Sequence, residues 1–202
     1  MGNLAYIGYI LVLGLGIAIS PVPVIVVILI LFSDRAKING IAFLAGWVAG
    51  LLLVGALAWA LANAGNALSS GAYVTSAYTI KLLMGLFFLL MALQNWRNRP
   101  KEGEEPEAPK WIARIDGVRP STSLALGTMN TSLNPKNLSL TLAAALTIVQ
   151  VGLSGMFVLL TPALFIVIAS STVAIPVLYF IFAGNGAEKA LNSWKAWLTS
   201  NY

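Results

Sequence analysis

Cysteine and histidine are both missing from the 202-residue chain. Their absence excludes disulfides, Cys/His metal sites, Ser-His-Asp triads, Cys-His dyads and any histidine proton switch. Charge is also scarce. Only 9% of the residues are charged, where a soluble domain carries about 25%. With 58% hydrophobic residues and a mean hydropathy of +0.85, a water-soluble globule is excluded and an all-α integral membrane protein is expected. Enzymatic chemistry is a poor first expectation: no catalytic residue, metal site or cofactor is assigned. Twelve Lys/Arg against seven Asp/Glu leave a net charge of +5. In a soluble protein that excess would suggest nucleic acid, but here it is a topology signal, and no nucleic-acid partner is expected.

The few charges divide the chain. Residues 1–33, 38–80, 82–96, 120–135 and 137–187 carry none. A bilayer-crossing helix needs about 20 apolar residues, and turn signals cut these stretches into six spans, near 4–32, 40–62, 78–95, 121–149, 153–170 and 172–185. The cuts are Ser33–Lys37, the polar Asn63–Ser76 stretch, the charged 97–119 linker, and turns at Gln150–Gly152 and Ser170–Ser171. Pro176 is expected to kink the last span. The first apolar run has no basic n-region before it and is too long for a signal-peptide core, so it is expected to stay as a span. Eight of the twelve basic residues fall in two loops: Arg35 and Lys37, then Arg97, Arg99, Lys101, Lys110, Arg114 and Arg119. By the positive-inside rule both loops are cytoplasmic and both termini extracytoplasmic.

The expected organisation is a three-helix repeat over 1–96, a cytoplasmic linker over 97–119, a second three-helix repeat over 120–186 and an amphipathic tail over 187–202. Pro100–Pro109 is charged, Pro-rich and poor in apolar residues, hence flexible. Lys110–Val118 sets Trp111, Ile112 and Ile115 on one helical face, as does the tail with Ala187, Ala190, Leu191, Trp194, Trp197 and Leu198. Each reads as a headgroup-level anchor or as a binding surface.

Three spans per half is an odd number, so the second half enters the membrane from the opposite side, the topology of an inverted repeat. Ile19-Ser20-Pro21-Val22-Pro23 and Leu133-Asn134-Pro135-Lys136-Asn137 fall mid-way along spans 1 and 4. Each of these spans is 29 residues long, about 43 Å as a helix against a hydrocarbon core of about 30 Å. Ser20 and Asn134 are favoured N-caps, each followed by proline, the residue favoured at the first helical position. Both helices are therefore expected to break in mid-membrane, with new half-helices starting at Pro21 and Pro135. Their positive N-terminal ends would meet near the midplane, joined by Lys136, with Asn130, Thr131, Ser132 and Asn137 as hydrogen-bonding groups. That constellation suits an anion or a polar headgroup. The alternative is a proline-kinked pair of helices whose polar residues satisfy one another.

All seven acidic residues lie in loops, linker or tail, so neither a proton relay nor a carboxylate-lined cation site is visible within the spans. Lys81, at the entry to span 3, reads as snorkelling or as functional. Gly46, Gly50 and Gly55 give span 2 a small-residue face, for packing within the monomer or at a dimer seam.

Taken together, Ser20-Pro21-Val22-Pro23, the Ile80–Leu86 run leading into Trp96-Arg97, Pro109–Asp116, and Leu133–Leu138 before an Ala-rich run resemble one known group in order and spacing. The chain resembles the lysine-exporter (LysE) superfamily, and within it the GAP, or sulfolipid-addressing-protein, family. The resemblance implies a bacterial inner-membrane exporter, homodimeric, with both Pro-containing breaks, Pro23 included, on the substrate path. It implies membrane lipids, a transported solute or lipid headgroup, and a larger lipid exporter as partners. Lipid-related cargo is favoured over amino acids, and the lack of Cys, His and buried carboxylates argues against metal-ion cargo.

Two functions remain open at this stage. One is a transporter exporting an amphipathic or anionic solute by alternating access around the midplane site. The other is a non-transporting accessory protein that scaffolds a larger lipid-export machine. A hydrated path at Ser20, Asn134 and Lys136 favours the first, and a dry bundle with an apolar outer groove favours the second.

Overall fold

A computed structural model describes residues 2–67 and 117–183, with the single positions Leu86, Leu89, Leu90, Leu93, Arg97 and Ser193. Apart from those positions, the expected span at 78–95, Lys81, the linker over 97–116 and the tail over 187–202 lie outside the described residues. Six helices are described: α1 (Gly2–Ala18), α2 (Pro21–Ile30), α3 (Ala36–Ala67), α4 (Pro120–Ser132), α5 (Pro135–Val151) and α6 (Phe157–Ala183). No strand occurs among the described residues. In lipid every backbone polar group must be satisfied by the protein, and a helix does this within its own segment. Even the run Pro-Val-Pro-Val-Ile-Val-Val-Ile-Leu-Ile, β-prone in water, is therefore helical as α2.

The chain is a membrane protein. Helix α3, over Ala36–Ala60, and α6 are each long and apolar enough to cross a bilayer, and α1 with α2 pass the same test as a pair bent by 55°. The expected break in span 1 is thus present, between Ala18 and Pro21. The stretch expected as span 4 is also divided, into α4 and α5 at Leu133-Asn134, but it is not among the described helices or bent pairs apolar enough to cross a bilayer.

Three sequence-based expectations need correction. Spans 5 and 6 are one helix, because Ser170 and Ser171 do not form a turn. A 14-residue sixth span would have reached only about 21 Å, whereas the 27 residues of α6 reach about 40 Å. Within α6 the Ser171 hydroxyl donates back to the Ile168 carbonyl at 2.8 Å, which satisfies it without ending the helix. Second, the helix that carries span 2 does not end at Asn63: α3 runs on to Ala67, although its bilayer-crossing part, Ala36–Ala60, agrees with the expected 40–62. Third, α6 runs toward the Arg35 end of the bundle, where Val177 and Gly40 face one another. The chain therefore reaches Ala183 at the basic end, not at the opposite end as six spans require. The turn after α5 is as expected: Gly152 and Gly155 adopt φ 60°, the left-handed conformation that glycine takes without strain.

Packing pairs each broken helix with a long one. Helices α3 and α4 run parallel at backbone contact: Gly46 faces the Leu124 carbonyl, Gly127 faces Phe43 and Trp47, and Gly50 faces Thr128 and Thr131. The Thr128 hydroxyl shares its proton between the Leu124 and Gly46 carbonyls, each at 3.1 Å. The small-residue face of span 2 is thus used within the monomer at Gly46 and Gly50, while Gly55 faces open space. Helix α6 lies parallel to α1, with Gly14 against Phe165 and Ile168. Helix α5 lies antiparallel to α1, with Gly16 against Leu140. The core between these layers holds Ile10, Ile17, Val27, Ile30, Phe43, Trp47, Val173 and Val177, all fully buried. The Phe43 and Trp47 rings pack tilted, with centroids 6.4 Å apart.

Candidate functional site

Both breaks follow from an X-Pro pair. The residue before proline is held out of the helical region, and Ser20 sits at φ −132°, ψ 108°, Asn134 at φ −70°, ψ 118°. The two breaks differ in how their ends are satisfied. Asn134 caps α5: its side-chain oxygen accepts from the Lys136 N–H at 3.1 Å and the Asn137 N–H at 3.4 Å. Ser20 occupies the N-cap position of α2, but its side chain makes no capping hydrogen bond. It has little to cap, because Pro21 and Pro23 carry no N–H and leave only Val22 as a donor in the first turn.

Lys136 joins the breaks. Its Nζ donates to the Ile19 carbonyl at 2.6 Å, across 117 residues of sequence. That carbonyl belongs to the C-terminal end of α1, the negative pole of its dipole. The neighbouring Ala18 carbonyl accepts from the Thr172 hydroxyl of α6 at 2.8 Å, so α1, α5 and α6 are tied at one level. Asn137, wholly buried, donates from Nδ2 to the Asn130 carbonyl at 3.0 Å and holds α4 to α5 across the second break. Its Oδ1 is buried without a partner among the described residues.

Ser20, Asn130, Asn134, Lys136 and Asn137 are therefore brought together, with a changed division of labour, whereas the Thr131 and Ser132 hydroxyls bond back to carbonyls of their own helix. The two helix N-termini contribute fewer donors than the sequence suggests, since prolines remove some and Asn134 occupies others. The remaining cationic donor is Lys136. An ammonium carries three N–H bonds, and only the one to Ile19 has a partner among the described residues. Ile19, Pro21, Val22, Leu133 and Lys136 are exposed, so the junction opens sideways from the bundle, whereas Ser20 and Pro23 are buried.

Two hollows flank α5 between this junction and the end opposite Arg35. One, of about 540 Å³, lies between α3, α5 and α6 and is mainly apolar, with Leu51, Trp59, Thr141, Ile148, Phe165 and Ile166 in its walls. The other, of about 470 Å³, lies between α1 and α5 and is lined by Tyr6, Tyr9, Thr147 and Gln150. Neither includes Ser20, Asn134 or Lys136. Sequence reasoning did not find either hollow. The only available signal was the clustering of Tyr, Thr and Gln at matching distances from the two breaks.

Residues 10–202 match the family described as Sap, sulfolipid-1-addressing protein. The chain belongs to the Sap family. This agrees with the resemblance to the sulfolipid-addressing family, and both proline breaks fall inside the matched range. No curated protein and no solved structure matches this Sap-family chain.

Proposed function

We propose that this Sap-family protein exports an anionic amphiphile by alternating access around the Lys136 junction, with the Arg35 and Arg119 end in the cytoplasm of a bacterial inner membrane. The observation that carries the reading is the Lys136–Ile19 hydrogen bond. It sets an ammonium, with donors to spare among the described residues, where two broken helices meet, at a level that this reading takes as mid-membrane. An ionisable side chain at that depth is costly, and such residues mark substrate pathways. The hollows on either side of α5 suit an amphiphile: a polar seam toward α1, an apolar groove toward α3 and α6. The family description names a sulfolipid, a molecule with an acidic headgroup and apolar chains, which fits a cationic junction beside an apolar groove. In this reading the two halves are inverted repeats of the lysine-exporter superfamily kind, each a broken helix followed by a long unbroken one, and two copies act as a homodimer.

One observation favours the accessory function instead. The larger of the two hollows beside α5 is an apolar groove rather than a polar path, as a scaffold for a lipid exporter would have. Purified protein reconstituted into liposomes separates the two. A transporter moves a fluorescent, sulfate-headed, single-chain amphiphile across the bilayer faster than protein-free liposomes do. An accessory protein leaves the rate at that of the protein-free control.

A further inference from the structure

The end opposite the two hollows carries a separate concavity, of about 430 Å³, with Asp34, Arg35, Val118, Arg119 and Ser121 in its wall. Its two sides come from the α2–α3 loop and from the segment leading into α4. They are fastened by Asn39, wholly buried, whose Nδ2 donates to the Ser33 hydroxyl and to the Val118 carbonyl, each at 2.9 Å. Ser33 in turn donates to the Ile30 carbonyl at 2.7 Å. The two arginines are thus presented from a fixed frame. Arg35, Arg119 and Asp34 form no ion pair among the described residues. The Ser121 and Thr122 N–H groups at the start of α4 have no intrahelical acceptor, and the N-cap Arg119 side chain does not cap them.

We propose that this concavity binds the headgroup of an anionic phospholipid bearing a polyol, from the leaflet at the Arg35 end. Guanidinium groups pair with phosphate oxygens in a bidentate fork, and basic pockets between membrane helices at this level hold anionic headgroups. Two cations take the phosphodiester. Asp34, which would repel a bare phosphate, accepts a hydrogen bond from a headgroup hydroxyl. The site therefore prefers phosphatidylglycerol to phosphatidic acid, which lacks the hydroxyls, and to phosphatidylcholine, which lacks both hydroxyls and net charge. Binding here does not depend on transport at the Lys136 junction, and failure of either leaves the other standing.

The test is lipid binding to the full-length protein in neutral detergent, followed by native mass spectrometry and by thermal unfolding. Arg35→Gln and Arg119→Gln are each expected to weaken phosphatidylglycerol binding roughly tenfold, the scale of one lost charge-assisted hydrogen bond. Lys37→Gln removes the same charge two residues from Arg35, outside the concavity, and is expected to leave binding unchanged. Asp34→Asn is expected to erase the preference for phosphatidylglycerol over phosphatidic acid. If Arg119→Gln does not fold, Arg35→Gln, outside any helix, carries the comparison with Lys37→Gln. Equal weakening by Lys37→Gln and Arg35→Gln would mean diffuse surface charge and overturn the site. Saturation by glycerol 3-phosphate or inorganic phosphate at the same concentration as the lipid would make the ligand a soluble anion and overturn the lipid assignment.

Discussion

Lys136→Gln is expected to slow liposome transport of an anionic amphiphile by about ten- to a hundredfold. That range corresponds to the roughly 1.5–3 kcal/mol of a hydrogen bond to a charged group. Glutamine keeps an N–H donor for the Ile19 carbonyl, which Lys136 holds at 2.6 Å, but it removes the charge. Lys136→Arg keeps both and is expected to retain most of the activity. The helix termini cannot compensate. Pro21 and Pro23 remove two of the three first-turn donors of α2, and Asn134 occupies the Lys136 and Asn137 N–H groups of α5. An unchanged rate for Lys136→Gln, with the same amount of folded protein, would leave Lys136 as a structural tie between α5 and α1. Circular dichroism and the unfolding midpoint in detergent make that distinction, because a purely structural tie lowers stability in proportion to any loss of rate.

Gly46→Ala is expected to cost about 3 kcal/mol, the upper end of the usual range for overpacking. The added methyl meets the Leu124 backbone of α4, which has no rotamer by which to move aside. Gly127→Ala meets the Phe43 carbonyl and the Trp47 nitrogen of α3 in the same way. Because the two glycines face one interface, their effects are not expected to add. Gly55 lies further along the same helix with nothing within 4 Å of a Cβ, and Gly55→Ala is expected to be neutral or mildly stabilising. Thermal unfolding in detergent compares all three. A cost at Gly55 equal to that at Gly46 would mean that α3 tolerates alanine poorly for reasons other than its contact with α4.

Where sequence and structure agree, the cause is local. Proline at a first helical position and the extended backbone it imposes on the preceding residue act through neighbours alone, so Ser20-Pro21 and Asn134-Pro135 were legible as breaks. The Gly152 turn was legible for the same reason. Ser170-Ser171 was not, because a serine can bond back to its own helix and continue it, as Ser171 does, and nothing local distinguishes that from a turn. Likewise, Ser20 and Asn134 read alike as caps. Only the second acts as one, since Pro23 removes a donor that a serine cap would serve. The partner of Lys136 was beyond reach because Ile19 is an apolar residue and only its backbone carbonyl takes part. The frame around Asn39 was equally hidden: it depends on the Val118 carbonyl, brought near by the parallel packing of α3 and α4.

The central claim, that a polar and anion-attracting junction lies where the broken helices meet, can be measured directly because the chain contains no cysteine of its own. Leu133→Cys places a thiol at the exposed break between α4 and α5, and Val167→Cys places one on an exposed apolar position within α6. Each is treated in liposomes with a sulfonate-bearing and a trimethylammonium-bearing methanethiosulfonate of similar size, and rates are normalised to those with a free thiol. The expected result is reaction at Leu133→Cys about tenfold faster with the anionic reagent, a difference removed by Lys136→Gln, and no reaction at Val167→Cys. Leu133→Cys as inert as Val167→Cys, or reacting faster with the cationic reagent, would contradict the claim.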